Sequence, residues 1–434
     1  MTEHLRTIQQ FIRAESFSGI LLFIATIAAV MIANSPLSEA YFELWNMALG
    51  VTVGGHTISM DLMHWINDGL MALFFLMVGL EIKRELLIGE LSSFSKASFP
   101  IIAAIGGMII PALVYVSFNF TNPMGFGIPM ATDIAFALGI LMLLGKKVSP
   151  SLKLFLVALA VVDDLGAVII VATVYTSEIH AEYFLHAAVV YGIIWILNFK
   201  KVTMLMPYLL LGIALWIFIH SVGVHATIAG VLLAFAIPIT SKVDEQEFIQ
   251  SSKESIDEFE KHIDNIPILN HHQIDALEDM AYHYDKVQNP LVKLEHQLHG
   301  FSAFFIMPLF AFSNAGVILN FGAVSEHLMV VIGVVFGLIV GKPIGIFGFT
   351  YLATKLKIVK KPDDLSWDEI MAVGFLGGIG FTMSIFITQL AFLDSTMIDA
   401  VKLGIFFASF IAGVVGVLLI LKAYNKKSSI KQTI

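Results

Sequence analysis

The amino-acid sequence predicts an all-α polytopic membrane protein. Twelve transmembrane helices are expected in inverted-topology repeats, with two broken helices (the fourth and eleventh) crossing at the midplane and a small extracytoplasmic β-hairpin. Three observations carry this. Apolar blocks have membrane-spanning length, basic residues fall in alternate connections, and glycine-rich breaks lie inside two of the blocks.

Of 434 residues, 57% are hydrophobic and 14% charged, against about 25% charged in ordinary soluble domains. The apolar residues cluster in a dozen near-chargeless runs, close to the ~20 residues that cross a hydrocarbon core of about 30 Å. Residues 1–15 are polar, and the run after them is too long for a signal-peptide core, so it reads as a retained first span. Cysteine is absent, which excludes disulfides, thiolate metal sites and cysteine nucleophiles. The net charge of −9 is local, because residues 238–298 hold 13 Asp/Glu against 5 Lys. The rest is nearly neutral and offers no basic footprint for nucleic acid.

The spans are expected at 14–34, 62–86, 96–117, 122–144, 151–175, 181–199, 203–219, 223–238, 300–319, 326–350, 368–391 and 398–422. Lysine and arginine then test the count. They occur before the first span and after the even-numbered spans, while every odd-to-even connection lacks them. So 23 of the 25 basic residues lie on one side, which the positive-inside rule makes cytoplasmic, with both termini inside. The chain reads as one membrane domain over 1–434, with 239–298 an extended acidic cytoplasmic loop between the eighth and ninth helices. The two exceptions are Lys402, where a long stem can snorkel to the interface, and Lys342, in the middle of the tenth span.

Outside the spans, residues 51–59 alternate around Gly54-Gly55, a β-hairpin signal. A lone hairpin is marginal in water; it either pairs with a second copy in a homodimer or stands as a surface flap. In the acidic segment, Phe248, Ile249, Ile256, Phe259 and Ile263 have near-helical spacing and predict an amphipathic helix. Six of the 14 histidines fall between His262 and His299. Histidine titrates near neutral pH, so this stretch is either regulatory or a solvated loop.

An ionisable group at bilayer depth costs about 2.5–3.5 kcal/mol even on mild insertion scales, which makes it functional by default. Asp133, Asp163, Asp164 and Lys342 are such groups. Adjacent helical residues point about 100° apart, so Asp163 and Asp164 sample different directions at one depth. Burial favours the neutral forms of acids and amines, bringing both toward proton exchange near neutrality. Carboxylate oxygens also suit a hard cation. One such site holds a proton or Na⁺, but not both. For any one of these groups a structural ion pair is the alternative; four together point to function.

The breaks supply the rest. Gly125, Gly127 and Pro129 precede Thr132 and Asp133 in the fourth span, and Gly374, Gly377, Gly378 and Gly380 precede Thr382 in the eleventh. Irregular backbone at depth is tolerated where it lines a cavity or is buried in protein. Half-helix ends carry about half a charge. Asp133 can neutralise opposed N-terminal ends, and Lys342 either opposed C-terminal ends or one of the paired aspartates. Thr132 and Thr382 offer hydroxyls to freed backbone or to an ion. The breaks occupy the second helices of spans 3–5 and 10–12, the arrangement of inverted repeats, for which the family named next is itself a type example.

At Ala131-Thr-Asp-Ile-Ala-Phe-Ala-Leu-Gly139, Ala158-Leu-Ala-Val-Val-Asp-Asp-Leu-Gly-Ala167, Gly223-Val-His-Ala-Thr-Ile-Ala-Gly230 and Phe75-Leu-Met-Val-Gly-Leu-Glu-Ile-Lys-Arg-Glu85, the sequence resembles the NhaA-type bacterial sodium/proton antiporters. Pro308-Leu-Phe-Ala-Phe-Ser-Asn-Ala-Gly316 and Gly341-Lys-Pro-Ile-Gly345 extend the match over nearly the whole chain. The resemblance implies electrogenic, pH-regulated exchange of two protons for one Na⁺ or Li⁺, with no cofactor and no enzymatic activity. It implies that Asp164 and Asp163 bind the ion and the protons, with Thr132 an accessory ligand. Asp133 and Lys342 match the charge-compensating pair, with Lys342 also a possible partner of Asp163. Asp68 matches a supporting acidic position. Glu81, Glu85, Glu295, His296 and His299 fall where the family places its cytoplasmic pH sensor, and His225 matches a histidine linked to pH response. For Glu81 and Glu85, helix-end pairing with Lys83 and Arg84 is the plainer alternative. The acidic stretch is longer than in shorter members, so the pH threshold does not transfer.

Three rivals remain. A sodium-coupled organic-anion symporter shares the broken helices but needs cationic or hydroxyl-rich groups for its anion, and Lys342 is the sole deep cation in the sequence. An intramembrane aspartyl protease needs aspartates facing each other from separate helices, whereas Asp163 and Asp164 are neighbours. A passive channel needs no protonatable pair.

Overall fold

Backbone polar groups in hydrocarbon have no water to bond, so apolar blocks of this length must fold as helices. The computed structural model describes residues 2–53, 56–176, 180–263 and 268–433 and is predominantly helical. Eight helices are long and apolar enough to cross a membrane: Leu62–Leu87, Phe94–Phe118, Pro123–Leu143, Pro150–Thr173, Ala181–Phe199, Leu205–Val222, Leu328–Lys355 and Ser395–Lys427. Two bent pairs raise the number to ten if each is one span. Phe17–Ala33 meets Ser38–Trp45 at 116°, and Trp367–Gly377 meets Phe381–Ala391 at 45°. The chain is thus an all-α membrane protein with a small sheet. Two expected spans take other forms. Within 223–238 the helix is only Ile228–Ala236, and the ninth is a composite of Pro290–Phe301, Ser302–Ile306 and Met307–Asn314.

Close packing here depends on residues without side chains. A Cβ at Gly230 would lie 2.2 Å from the Ala72 carbonyl oxygen, and one at Gly345 would lie 2.1 Å from that of Gly106. Small residues let membrane helices approach to backbone contact, and these two seat the short helix on Leu62–Leu87 and the tenth span on Phe94–Phe118. Pro343 shapes the tenth span differently. It has no N–H to donate, and the turn before it, Gly337–Gly341, widens into a π-helix that ends at Lys342.

The hairpin is longer than the alternation suggested. Ala48–Val53 pairs antiparallel with His56–Asp61, in register from Ala48 with Asp61 to Val53 with His56. The Gly54-Gly55 turn lies outside the described residues. The acidic segment holds more helix than expected: Glu245–Lys261 packs against His271–Val287. Backbone N–H groups of Lys242 and Val243 donate to the Lys286 carbonyl and close the base of this helical hairpin. Lys402, expected at the interface, is largely buried.

Candidate functional site: a carboxylate pair between two broken helices

Each break has a chemical cause. In the fourth span Pro123–Met130 is a tight 3₁₀ segment ending at Pro129 and Met130, Ala131 is extended, and the α-helix restarts at Ile134. In the eleventh, the helix stops at Gly377 and resumes at Phe381. The two breaks bond to each other. The Asp133 N–H donates to the Ile379 carbonyl at 2.7 Å, and the Ser384 hydroxyl donates to the Ile128 carbonyl at 2.8 Å.

Asp133 serves both restarted helices at once. Its Oδ1 accepts from the Phe136 N–H at 3.0 Å. Its Oδ2 accepts from the Thr382 N–H at 3.1 Å and the Thr382 hydroxyl at 2.5 Å. A helix N-terminus presents unsatisfied N–H groups and a partial positive charge, so one buried carboxylate caps two such ends. Thr382, expected to serve freed backbone or an ion, instead bonds Asp133.

Asp163 and Asp164 sit within the helix Pro150–Thr173, both buried. The Lys342 ammonium lies 2.5 Å from Asp163 Oδ2, with both side chains essentially shut off from solvent. Thr132 Oγ1 lies 2.8 Å from the same Oδ2 and 2.9 Å from the Gly377 carbonyl oxygen. A hydroxyl has one proton, so Thr132 donates to one of the two at a time. The sequence left Lys342 between two roles. The structure places it on Asp163, and no bond from it to helix-end carbonyls occurs among the described residues. It is therefore not free to hold an organic anion. Asp163 Oδ1 is buried without a partner, and no hydrogen bond or ion pair reaches the Asp164 carboxylate among the described residues. One of the two carboxylates thus holds the cation, and the other has no such partner among the described residues. Carboxylate oxygens are hard donors of the kind a hard cation prefers.

The residues matched to a pH sensor partly converge. Arg84 bridges Glu85, at 2.7 Å, and Glu295, at 2.9 Å. Glu85 Oε2 accepts from the Glu90 N–H at 2.8 Å. Glu81 lies within electrostatic reach of Glu295, Arg84 and His299, and also of Asp164. His296, on the helix Pro290–Phe301, is exposed. The helix-end pairing holds for Glu85 with Arg84, but Lys83 donates to the carbonyls of Phe235 and Ile237 instead, at 2.7 and 2.5 Å. Asp68 and His225 belong to a second group that includes a residue the sequence reading passed over, His220, whose Nδ1 lies 3.7 Å from Asp68 Oδ2. His225 Nδ1 is buried without a partner among the described residues, and its ring stands edge-on to Phe386.

A polar knot also escaped notice. The side-chain amides of Asn67, Asn314 and Gln389 bond to one another at 2.5–3.2 Å. Asn67 adjoins Asp68, and Asn314 lies in the Pro308–Gly316 string, but neutral amides carry no charge to flag them in an apolar run.

A sequence profile of the family described as Na⁺/H⁺ antiporter 1 matches residues 9–420. The Na⁺/H⁺ antiporter NhaA 1 of Aliarcobacter butzleri is 63% identical over 429 residues, covering 99% of this chain and 100% of that protein. The Na⁺/H⁺ antiporter NhaA of Wolinella succinogenes is 52% identical over 411 residues, covering 94% and 91%. That of Helicobacter pylori (strain HPAG1) is 47% identical over 432 residues, covering 98% and 97%.

Proposed function

The chain belongs to the Na⁺/H⁺ antiporter 1 family, and from that membership we infer that it exchanges Na⁺ for H⁺ across a bacterial membrane, as a transporter and not an enzyme. The exchange is proposed to be electrogenic and pH-regulated, moving cytoplasmic Na⁺ or Li⁺ outward against external protons.

One observation carries the mechanism: of two adjacent buried carboxylates, only Asp163 is paired with the buried Lys342 ammonium. Asp164, Asp163 Oδ1 and the Thr132 hydroxyl form the oxygen set for a dehydrated Na⁺. As Na⁺ arrives, Asp164 gives up its proton. Lys342 then competes with Na⁺ for one carboxylate in a low-dielectric site, where two cations cannot be held on equal terms. Lys342 withdraws and releases the second proton. Two protons for one Na⁺ move one net charge inward per cycle, so an inside-negative potential drives sodium export. Asp133 keeps its charge throughout, compensated by the two helix ends it caps.

Twelve crossings are reached by reading Ile228–Ala236 and the composite 290–314 as two more spans. The fourth and eleventh then cross at the midplane of two inverted repeats, in the inner membrane with both termini cytoplasmic. The Glu81, Glu85, Glu295 and His299 group supports a pH sensor at the cytoplasmic mouth, with His296 at its edge and Asp68 and His225 in supporting roles. The Ala48–Asp61 hairpin is the proposed dimer contact. The decisive measurement is Na⁺- and Li⁺-induced collapse of a proton gradient in proteoliposomes, scanned over pH. Collapse that requires either cation and moves charge supports the reading; a gradient indifferent to both overturns it.

A further inference from the structure

The helical hairpin 245–287 ends in three side chains that transport does not use. We propose that Glu258, His262 and His272 form a binding site for one divalent transition-metal ion of the Zn²⁺ class.

Glu258 lies in the last turn of Glu245–Lys261 and His262 caps that helix four positions on, which brings the imidazole beside the carboxylate. His272 comes from the first turn of His271–Val287. Asn270 ties the two helix ends together. Its Oδ1 accepts from the Gln273 N–H at 3.0 Å, capping the second helix, and its Nδ2 donates to the His262 carbonyl at 2.9 Å. The two imidazoles consequently stack, with ring centroids 4.3 Å apart and planes 21° apart. One donor atom from each of the three residues lies within 4.8 Å of the others.

The spacing suits a tetrahedral ion. Ligands about 2.0–2.1 Å from zinc lie about 3.4 Å from one another, and Glu258 Oε1 is 3.4 Å from His262 Nδ1. The same nitrogen is 3.1 Å from the Glu258 carbonyl oxygen, a contact a bound ion would displace. Lys261 holds the other carboxylate oxygen, Oε2, at 3.3 Å and leaves Oε1 toward the rings. His272 is exposed and free to close the remaining gap by rotation. Imidazole nitrogen favours zinc, nickel or copper over hard alkali ions, so this site is chemically distinct from the sodium site. The acid-rich surroundings attract any cation. Three protein ligands leave the fourth position to water.

Bound metal would clamp the tip of the hairpin as the Lys286 carbonyl clamps its base. The test uses tag-free, full-length protein in detergent, stripped with a chelator and titrated with Zn²⁺ alone by calorimetry. Wild type is expected to bind one more equivalent per chain than His262→Ala/His272→Ala, and to gain several degrees in melting temperature that the variant lacks. Glu258→Gln is expected to weaken that equivalent about tenfold. Unchanged Na⁺/H⁺ exchange in metal-free buffer checks that the double variant is folded; if it is not, His272→Ala alone replaces it. Equal stoichiometry and affinity in wild type and variant would overturn the site.

Discussion

Lys342 Nζ is 2.5 Å from Asp163 Oδ2, and neither side chain has appreciable contact with solvent. The two residues are 179 positions apart in the chain. Removing one member of a buried pair typically costs about 3–5 kcal/mol, because the other charge stays buried unpaired. This contact therefore ties the fourth turn of the helix Pro150–Thr173 to the π-bulged tenth span, and any cation entering must contend with it.

Asp163→Asn and Asp164→Asn are each expected to abolish sodium-driven proton movement in everted vesicles while the protein still inserts. Fluorescence quenching of a pH probe and a membrane-fraction blot check both halves. Full activity in Asp164→Asn would rule out its assignment as a ligand.

Thr382→Val removes the hydroxyl at 2.5 Å from Asp133 but leaves the Thr382 N–H in place. Losing a hydrogen bond to a buried charged group costs about 1.5–3 kcal/mol. A melting temperature several degrees lower, with reduced exchange, is the expected result. An unchanged melt would mean that Asp133 is held by the backbone donors alone.

Gly345→Ala drives a methyl group to 2.1 Å from the Gly106 carbonyl oxygen, whereas nothing lies within 4 Å of a Cβ at Gly348 on the same helix. Overpacking costs about 1–3 kcal/mol. Thermal denaturation in detergent should rank wild type and Gly348→Ala together, and Gly345→Ala well below them.

Deleting 243–287 and joining the ends is expected to shift the pH of half-maximal exchange without eliminating transport, since Lys242 and Lys286 meet at the base of the hairpin. Initial rates in proteoliposomes across pH give the comparison. A superimposable profile would reduce the segment to a passive insert.

The Asp285 carboxyl is held below its usual range by its hydrogen bond to Lys293. A group depressed in the folded state stabilises above its unfolded value, about 3.9, and loses that contribution only as pH falls through the lower folded value. This contact should stay closed across pH 6–9. Hydrogen exchange over 285–293, corrected for intrinsic rates, should be flat there; opening within that range would show that another group governs the joint.

Local chemistry alone was enough for the apolar blocks and the charges worth explaining. Asp133, Asp163, Asp164 and Lys342 stand out because hydrocarbon penalises charge wherever the chain folds. The hairpin and the two glycine-rich breaks were legible for the same reason, being short-range backbone effects. Partnership was not. Which aspartate takes Lys342, that the Thr382 hydroxyl goes to Asp133, and that Asn67, Asn314 and Gln389 meet all depend on segments far apart in the chain arriving at one place. Distance in sequence carries no record of such contacts, and neutral amides leave no hydropathy signal. Packing decided them, through glycines that let backbones touch and a proline that turned one helix wide just before its lysine.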